Sequence, residues 1–586
     1  MTGGPQPRPL PFRTGVGLLC LYAVLAGWWL RPVTSELRDH VPGLAGSGAL
    51  ERLTFADVYL TLWVLTAGVQ QLSTHPTELF HPPAFYPERY ALGLSEHMLG
   101  HQLLFAPTYG VSANPVLALN VSLLLSTALL GFGTHLLVRR WGAGLAAAVL
   151  GAVLAVCAPW RVGAEAARVH TLWVHYLPFL LLFLDRYLVE RRGRDLALAA
   201  ACLVLQTWTS YYTGYAAVVL VAVYLLAHVR STPGGVARAG AGMLGALAVA
   251  AAASYPYLVL ARAGAIQAYR YDVLPLFFSL QGMPGVLTRQ QVGIVPVALT
   301  LLGLVSRRWR ATSDRAPYPA LLGIAAAGYI LALGPSVALP RAPGEAVTAV
   351  GRLLVMGDQA ALERALTSAG PDLRHVPTPY ALLAAVVPGF TQLRNPFRFG
   401  VLPATVLPVT AALAVGGLTA LPAMGRAVLA LAIAAAVVLR TPPVVATPVE
   451  AGEKIPRTYQ WLRENGAGRP LLEAPVRTGL AAVLGGYEEC RAMYLATYHR
   501  LPLVNGYSGF VPESVRRRYE VAARLPHPSA IARLCAETRL GWILLHRDRL
   551  AAEARAAWDD PPAALAVAAT FGDDVVFSVR CPGGSP

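Results

Sequence analysis

Charge is scarce in this chain: 14% of its 586 residues are Asp, Glu, Lys or Arg, against 55% hydrophobic, where a soluble globular domain carries about a quarter charged residues. That deficit excludes a water-soluble protein. With its long apolar runs the chain reads as an integral membrane protein, large enough for a many-span bundle plus a further domain. Lysine is almost missing, so the net charge of +16 rests on arginine; with Ala, Gly, Pro and Leu abundant, this is a compositional bias, and arginine in place of lysine carries no chemical message. The arginines fall in short clusters between apolar runs, where they act as topology signals, and no nucleic-acid partner is expected. Cysteine is equally sparse. Cys20, Cys157 and Cys202 fall in apolar spans and Cys490, Cys535 and Cys581 in the tail; no pair has metal-ligand spacing, which excludes a zinc or CxxC redox site.

A helix needs about 20 apolar residues to cross a bilayer. Such stretches occur near 14–30, 114–137, 143–159, 171–188, 195–209, 211–228, 239–260, 291–305, 318–334, 399–420 and 425–440, eleven candidate spans. Residues 1–13 with the first span resemble a signal peptide, but no small-residue cleavage site follows "AGWWLRPVTSE", so the segment is expected to stay as an uncleaved span. The arginines "RR" at 139–140, "RRGR" at 191–194, Arg230 with Arg238, "RRWR" at 307–310, and Arg426 occupy every second loop. By the positive-inside rule the N-terminus is cytoplasmic and the C-terminus outside. No internal repeat is visible, which speaks against an inverted-repeat transporter.

After residue 440 the pattern changes. "TYQWLREN" and "PSAIARLCAETR" read as helices and "RPLLEAPV", "GWILLH" and "DVVFSVR" as strands, an α/β arrangement. Residues 1–440 are therefore expected to form the membrane domain, 441–454 a proline-interrupted linker, and 455–586 an extracytoplasmic α/β domain. An outside location permits Cys535 to bridge either Cys490 or Cys581.

The middles of the predicted spans are nearly empty of ionisable groups, which are costly at membrane depth and mark function when present. The polar residues gather in four stretches at the outer edge. In "RLTFADVYLTLWVLTAGVQQL", 52–72, Phe55, Tyr59, Leu62 and Thr66 share a helix face and Asp57 stands at the water boundary; alternatively Asp57 is an acid favoured at a helix N-terminus. In "LFHPPAFYPERYALGLSEHMLGHQLLFAP", 79–107, Glu96, His97 and His101 have spacings that allow one helix face; substrate contact, interfacial packing and a metal are the readings, the last opposed by the lack of HExxH and of a third strong ligand. "APWRVGAEAARVHTLWVHYLP", 158–178, sets Arg161, Glu165, Arg168 and His170 in a short outer turn, on the side where the charge rule disfavours arginine; an ordinary span boundary with snorkelling arginines is the plain alternative. "PGFTQLRNPFRFGVLP", 388–403, carries Arg394 and Arg398 four apart, a helical spacing suited to a phosphate or to leaflet anchors.

These stretches, in this order and topology, together with "DVYLTLW", "FYPERYALGLSEHMLG", "NPVLALNVSLLLSTALLGFG", "SYYTGY", "LRNPFRFG" and "LVNGYSGFVP", resemble the GT-C class of membrane glycosyltransferases, and within it an uncharacterised bacterial subgroup. The resemblance covers most of the chain. It implies a polytopic α-helical bundle in the bacterial plasma membrane and transfer of a sugar from a polyprenyl-phosphate donor, at the outer face, to a lipid, glycan or protein acceptor. The acid that opens the family's first outer loop acts as general base or orients the acceptor, and Asp57 matches that position. Many members carry a second acidic motif of two acids one residue apart in the second outer loop. This chain offers Glu165 alone in "GAEAAR", which leaves Glu165 a supporting role, weakens the case for a divalent metal and predicts no cofactor. Arg168, Arg394 and Arg398 are then the candidates for neutralising donor phosphate, with Glu96, His97 and His170 as further substrate contacts. Tyr211 and Tyr212 of "SYYTGY" are either sugar-stacking rings or an aromatic belt, and "NGYSGF" reads as a Gly-rich turn near the acceptor. A lipid-glycan transporter or scaffold of envelope assembly is the alternative, but it would need polar or broken helices near the midplane, where this sequence has few.

Overall fold

The computed structural model describes residues 11–43, 49–161, 168–266, 292–305, 317–340, 373–393, 395–478 and 486–581. Glu165 and Arg394 lie outside the described residues. All eleven stretches expected to span are helical: α1 (Phe12–Trp29), α3 (Pro115–Arg140), α4 (Leu145–Val156), α5 (Tyr176–Glu190), α6 (Gly193–Thr209), α7 (Tyr211–His228), α8 (Pro233–Ala252), α9 (Ile294–Val305), α10 (Tyr318–Ala332), α11 (Val401–Gly416) and α12 (Ala423–Arg440), with α2 (Ala49–Thr74) between the first two. Among the described residues seven segments are long and apolar enough to cross a membrane: α1, α3, α7, α8, α12, and α5 and α11 with their leading turns, Val169–Glu190 and Pro396–Gly416. Helices α4, α9 and α10 are shorter, and α6 carries Asp195 and Gln206, both buried.

The long buried helix α3 shows how local sequence sets an element. Asn114 caps it, its side chain accepting the Leu117 N–H at 2.8 Å, and Pro115 follows at the first helical position. The same Asn114 side chain donates to the Arg38 carbonyl at 2.9 Å, and six residues on Asn120 donates to the Leu37 and His40 carbonyls. Two amides of "NPVLALNV" thus fasten the start of the first outer loop to the bundle. At the other end of α3, Arg140 meets Asp185 at 2.7 Å and Glu190 at 2.8 Å, and Tyr224 of α7 donates to Asp185 at 2.6 Å. This gathers two of the arginine clusters, 139–140 and 191–194, at one end of the bundle, as the charge rule requires.

Beyond α12 the chain builds α13 (Arg457–Asn465), α14 (Gly486–His499), α15 (Glu513–Ala522) and α16 (Pro528–Thr538) around a four-stranded sheet. Its order is β5-β6-β8-β7, with β5 (Leu471–Ala474) parallel to β6 (Trp542–His546), and β6 and β7 (Leu565–Phe571) antiparallel to β8 (Asp574–Val579). The linker is not a free tether: β4 (Val445–Pro448) pairs antiparallel with β1 (His40–Gly43) of the first outer loop, while β2 (Ser336–Pro340) pairs antiparallel with β3 (Leu373–Pro377). Helix α14 is one of several tail elements, with α15 and β7, that the sequence reading does not anticipate. Packed between α2 and α13, it is buried on several sides, so no polar stripe marks it. A disulfide joins Cys535 of α16 to Cys581, 46 residues on, resolving the pairing that spacing left open; Cys490 is buried and free.

Closing a loop of that length constrains the unfolded chain by about 2–4 kcal/mol. Cys535→Ser is expected to lower the thermal midpoint of the purified chain, and reductant should reproduce the shift in the wild type without adding to it in the variant; equal midpoints would show that the bridge contributes no stability.

Candidate active site

Helix α2 carries Asp57. The face expected from spacing is present, since Phe55, Tyr59, Leu62 and Thr66 are all buried. Its covering is protein, not lipid: the Phe55 and Tyr59 rings meet Tyr487, and Tyr59 also meets Tyr494, both on α14. Asp57 points elsewhere. Its Oδ2 lies 3.4 Å from Nε of Arg168, with both side chains part-exposed, at 30% and 28%.

Arg168 introduces the turn Val169–Leu172, and Arg161 holds that turn in place. Arg161 is no snorkelling anchor: it is fully buried, donates to the Leu172 carbonyl at 2.9 Å and to Thr127 Oγ1 of α3 at 2.7 Å, and lies over the ring of Trp29 at 5.0 Å. His170, in the same turn, is buried and feels the charges of both Arg168 and Arg398. Arg398 sits 4.5 Å over the ring of Tyr212, a cation–π contact, and acts electrostatically on Glu96. Asp57, Arg168, His170, Arg398, Tyr212 and Glu96, drawn from separate stretches of the sequence, therefore form one connected set at the end of the bundle opposite the Arg140 cluster.

The helix-spaced pair expected of Arg394 and Arg398 falls on Arg394, outside the described residues; Arg398 itself lies in the short turn Pro396–Gly400. Glu96, His97 and His101 do not share a helix face: Met98 is left-handed at φ 50°, and His101 lies in the short turn Leu99–His101. Each of the three has its own local role. Glu96 Oε1 accepts from Ser210 Oγ at 2.8 Å and the Tyr211 N–H at 2.7 Å, capping α7 from outside the helix; burial pushes its carboxyl up, against the opposing pull of Arg398 and these hydrogen bonds. His97 packs edge-on to Phe80 and Tyr211, and burial holds its pKa down at about 3. His101 stacks on Trp173 with centroids 3.4 Å apart. Tyr211 belongs to the same aromatic group, against Tyr257 and bonded to Ser254. These residues do not fit a metal: Glu96 Oε1 is taken by donors, His97 Nδ1 accepts the Leu99 N–H at 3.1 Å, and the His97 and His101 rings pack on different partners. Among the described residues the acids and histidine at ligating distance are Glu36, Asp39 and His40, where Lys454 already pairs with Asp39 at 2.5 Å.

The "NGYSGF" turn supports the loop that leads to Glu96. The Asn505 carbonyl accepts the Phe85 N–H at 3.0 Å, the Leu503 carbonyl accepts that of Tyr86 at 2.8 Å, and Ser508 donates to the Leu94 carbonyl. Gly506 is required there, since a Cβ would sit 2.5 Å from the Phe85 ring. Glu489, in the first turn of α14, was not anticipated from sequence. It is half-buried, accepts from Tyr519 OH at 3.1 Å, and desolvation pushes its carboxyl up to about 7.

No protein-family model matches the chain, and no curated protein matches it in sequence. Among solved structures it is similar to the arabinofuranosyltransferase AftD from Mycobacteria, with TM-score 0.56 and 14% identity over 97% of this chain and 40% of that one. It also aligns with the oligosaccharyltransferase of Archaeoglobus fulgidus (TM-score 0.45, 13% identity, 90% and 69% of the two chains) and with ArnT from Cupriavidus metallidurans (TM-score 0.42, 15% identity, 97% and 99%). All three are GT-C glycosyltransferases. At 14% identity the likeness to AftD is one of fold: the protein is a polytopic α-helical membrane protein with a GT-C-like bundle and a C-terminal sheet domain. It spans about 40% of the length of AftD.

The raised carboxyl of Glu489 gives a signed pH dependence. Between its unfolded value near 4.5 and its folded value of about 7 the unfolded chain has released the proton that the folded chain keeps, so this contribution to stability is full below that window and lost as pH rises through it. Thermal midpoints at pH 5, 6, 7 and 8 should therefore fall more steeply with pH in the wild type than in Glu489→Gln; parallel profiles would contradict the assignment.

Proposed function

We propose that this chain is an inverting membrane glycosyltransferase that moves a sugar from a polyprenyl-phosphate donor to an envelope lipid, glycan or protein acceptor at the outer face of the bacterial plasma membrane. The observation that carries the reading is the meeting of Asp57 with Arg168, with the charges of Arg168 and Arg398 both acting on the buried His170: one carboxylate and two guanidinium groups at the bundle end where sequence topology puts the outside.

In this reading the acceptor hydroxyl attacks the anomeric carbon, the bond from that carbon to the phosphate oxygen breaks, and the electron pair leaves with polyprenyl phosphate. Asp57, ionised and able only to accept, takes the hydroxyl proton. Arg168 and Arg398, with Arg394, carry the negative charge of the departing phosphate, for which guanidinium geometry suits them. Arg168 then has two partners in sequence, Asp57 without donor and phosphate with it, so donor binding would free the base. Tyr212 offers an aromatic face steadied by Arg398 for the sugar, and His170 a buried polar edge to the same space. Glu96 acts at one remove by fixing the start of α7 and so Tyr211 and Tyr212; Glu165 keeps a supporting role as the acid of the second outer loop. No step is routed through a metal.

Asp57→Asn keeps the shape and removes the base, so transfer should fall by about 10²- to 10⁴-fold with expression intact. Mass spectrometry of envelope lipids and glycans from a deletion strain, complemented with wild type or with the variant, reads this whichever sugar and acceptor are involved. Loss of one sugar restored only by wild type is expected; equal restoration by both would refute the base and favour the transporter or scaffold. Separately, Arg394→Gln with Arg398→Gln should weaken binding of polyprenyl phosphate to the purified chain about tenfold or more, and unchanged affinity would make these arginines leaflet anchors.

A further inference from the structure

Two residues past Asp57 on α2, Tyr59 donates to Glu450 Oε2 at 2.6 Å, while the other carboxylate oxygen of Glu450 takes Nε of Arg491 from α14 at 2.6 Å. The Glu450 carbonyl accepts Tyr494 OH at 2.7 Å, again from α14. Glu450 itself follows β4, which is anchored on β1 and hence on the first outer loop. A single carboxylate thus joins the strand leaving the last span, the helix bearing Asp57 and the helix of the C-terminal domain that covers it. Although burial pushes its carboxyl up, Arg491 and the Tyr59 hydroxyl outweigh this and hold it below the usual range.

The joint is buried on one side by rings: Tyr59 stands edge-on to Tyr487 and packs on Tyr494. Cys490, next to Arg491, is fully buried and close enough to Asp57 to feel its charge. Removing the Glu450 charge would leave Arg491 without its carboxylate in a largely desolvated place, where the cost far exceeds that of an exposed pair.

We propose that Glu450 is a positioning residue: by binding Tyr59 with one oxygen and Arg491 with the other, it docks the C-terminal domain on α2 and fixes where Asp57 stands relative to Arg168. This rests on the reading of Asp57 as the base. Tyr59 and Arg491 are its working partners, and the bidentate division of the carboxylate couples the two helices, so loss of either contact loosens both.

The test uses the full-length protein and two readouts. The first is alkylation of Cys490 by a maleimide in the detergent-purified chain, quantified on its peptide by mass spectrometry; the second is sugar restoration in the complemented deletion strain. Glu450→Gln should speed Cys490 labelling about tenfold and reduce sugar restoration by a similar factor. Arg491→Glu should do likewise, and the exchange Glu450→Arg with Arg491→Glu should recover most of both, since Tyr59 can accept from an arginine as well as donate to a carboxylate. Labelling at the wild-type rate in Glu450→Gln would overturn the proposal whatever the sugar readout, and faster labelling with full sugar restoration would overturn the coupling to Asp57. Full restoration by Asp57→Asn would instead refute the base, with Cys490 labelling still deciding whether Glu450 docks the domain.

Discussion

The bilayer interior allows almost no charge, and that constraint arranges everything else in this molecule. A carboxylate or guanidinium at mid-depth must be paired or hydrated at high cost, so the chain's few ionisable groups are driven to the two ends of its helices. At one end Arg140, Asp185 and Glu190 satisfy one another. At the other, Asp57, Arg168, His170, Arg398 and Glu96 collect beneath a folded domain. A chain with little charge is left with its charges concentrated, and a concentrated polar site at a membrane face is what transfer between a lipid-borne donor and a waterborne acceptor needs.

The second organising element is the C-terminal domain, which is part of the site's framework. Its contacts with α2 run through aromatic rings and through Glu450, and the polar chain continues inward from Arg491 to Tyr459, Glu473 and His546, where Glu473 and Asp574 hold the imidazole from both sides at 3.0 and 2.6 Å. The "NGYSGF" turn and Arg518, which meets Glu88 at 3.0 Å, pin the proline-rich part of the first outer loop in the same way. Strand β4 closes the frame by pairing with β1. The helix bearing the candidate base is therefore clamped between bundle and domain instead of floating in the interface.

Much of this was legible in the residues. Apolar length marked the helices of the bundle, the arginine clusters at 139–140 and 191–194 marked one end of it, and the period-2 runs of the tail marked β5, β6 and β8. Asp57 stood out because it interrupted an apolar helix. What was not legible has a common cause: long-range pairing replaces local pattern. Residues 96–101 carry helix-compatible spacing, but Met98 turns left-handed and each side chain is claimed by a distant partner, Glu96 by α7 and His101 by Trp173. Helix α14 lacks an amphipathic stripe because protein covers it on several sides. Glu450 reads as an ordinary acid in a proline-rich linker, and only the fold shows it between Tyr59 and Arg491. Arg161, grouped by sequence with possible lipid anchors, is buried and supports the turn that carries Arg168.

The central claim is that Asp57, Arg168 and Arg398 converge on one phosphate-bearing substrate. The most direct measurement is a cryo-EM structure of the full-length chain with polyprenyl phosphate added. The account predicts the phosphate within hydrogen-bonding distance of Arg168 or Arg398, with the Asp57–Arg168 contact opened. Phosphate bound at the Arg140 end, or held apart from both arginines with Asp57 still paired, would contradict it.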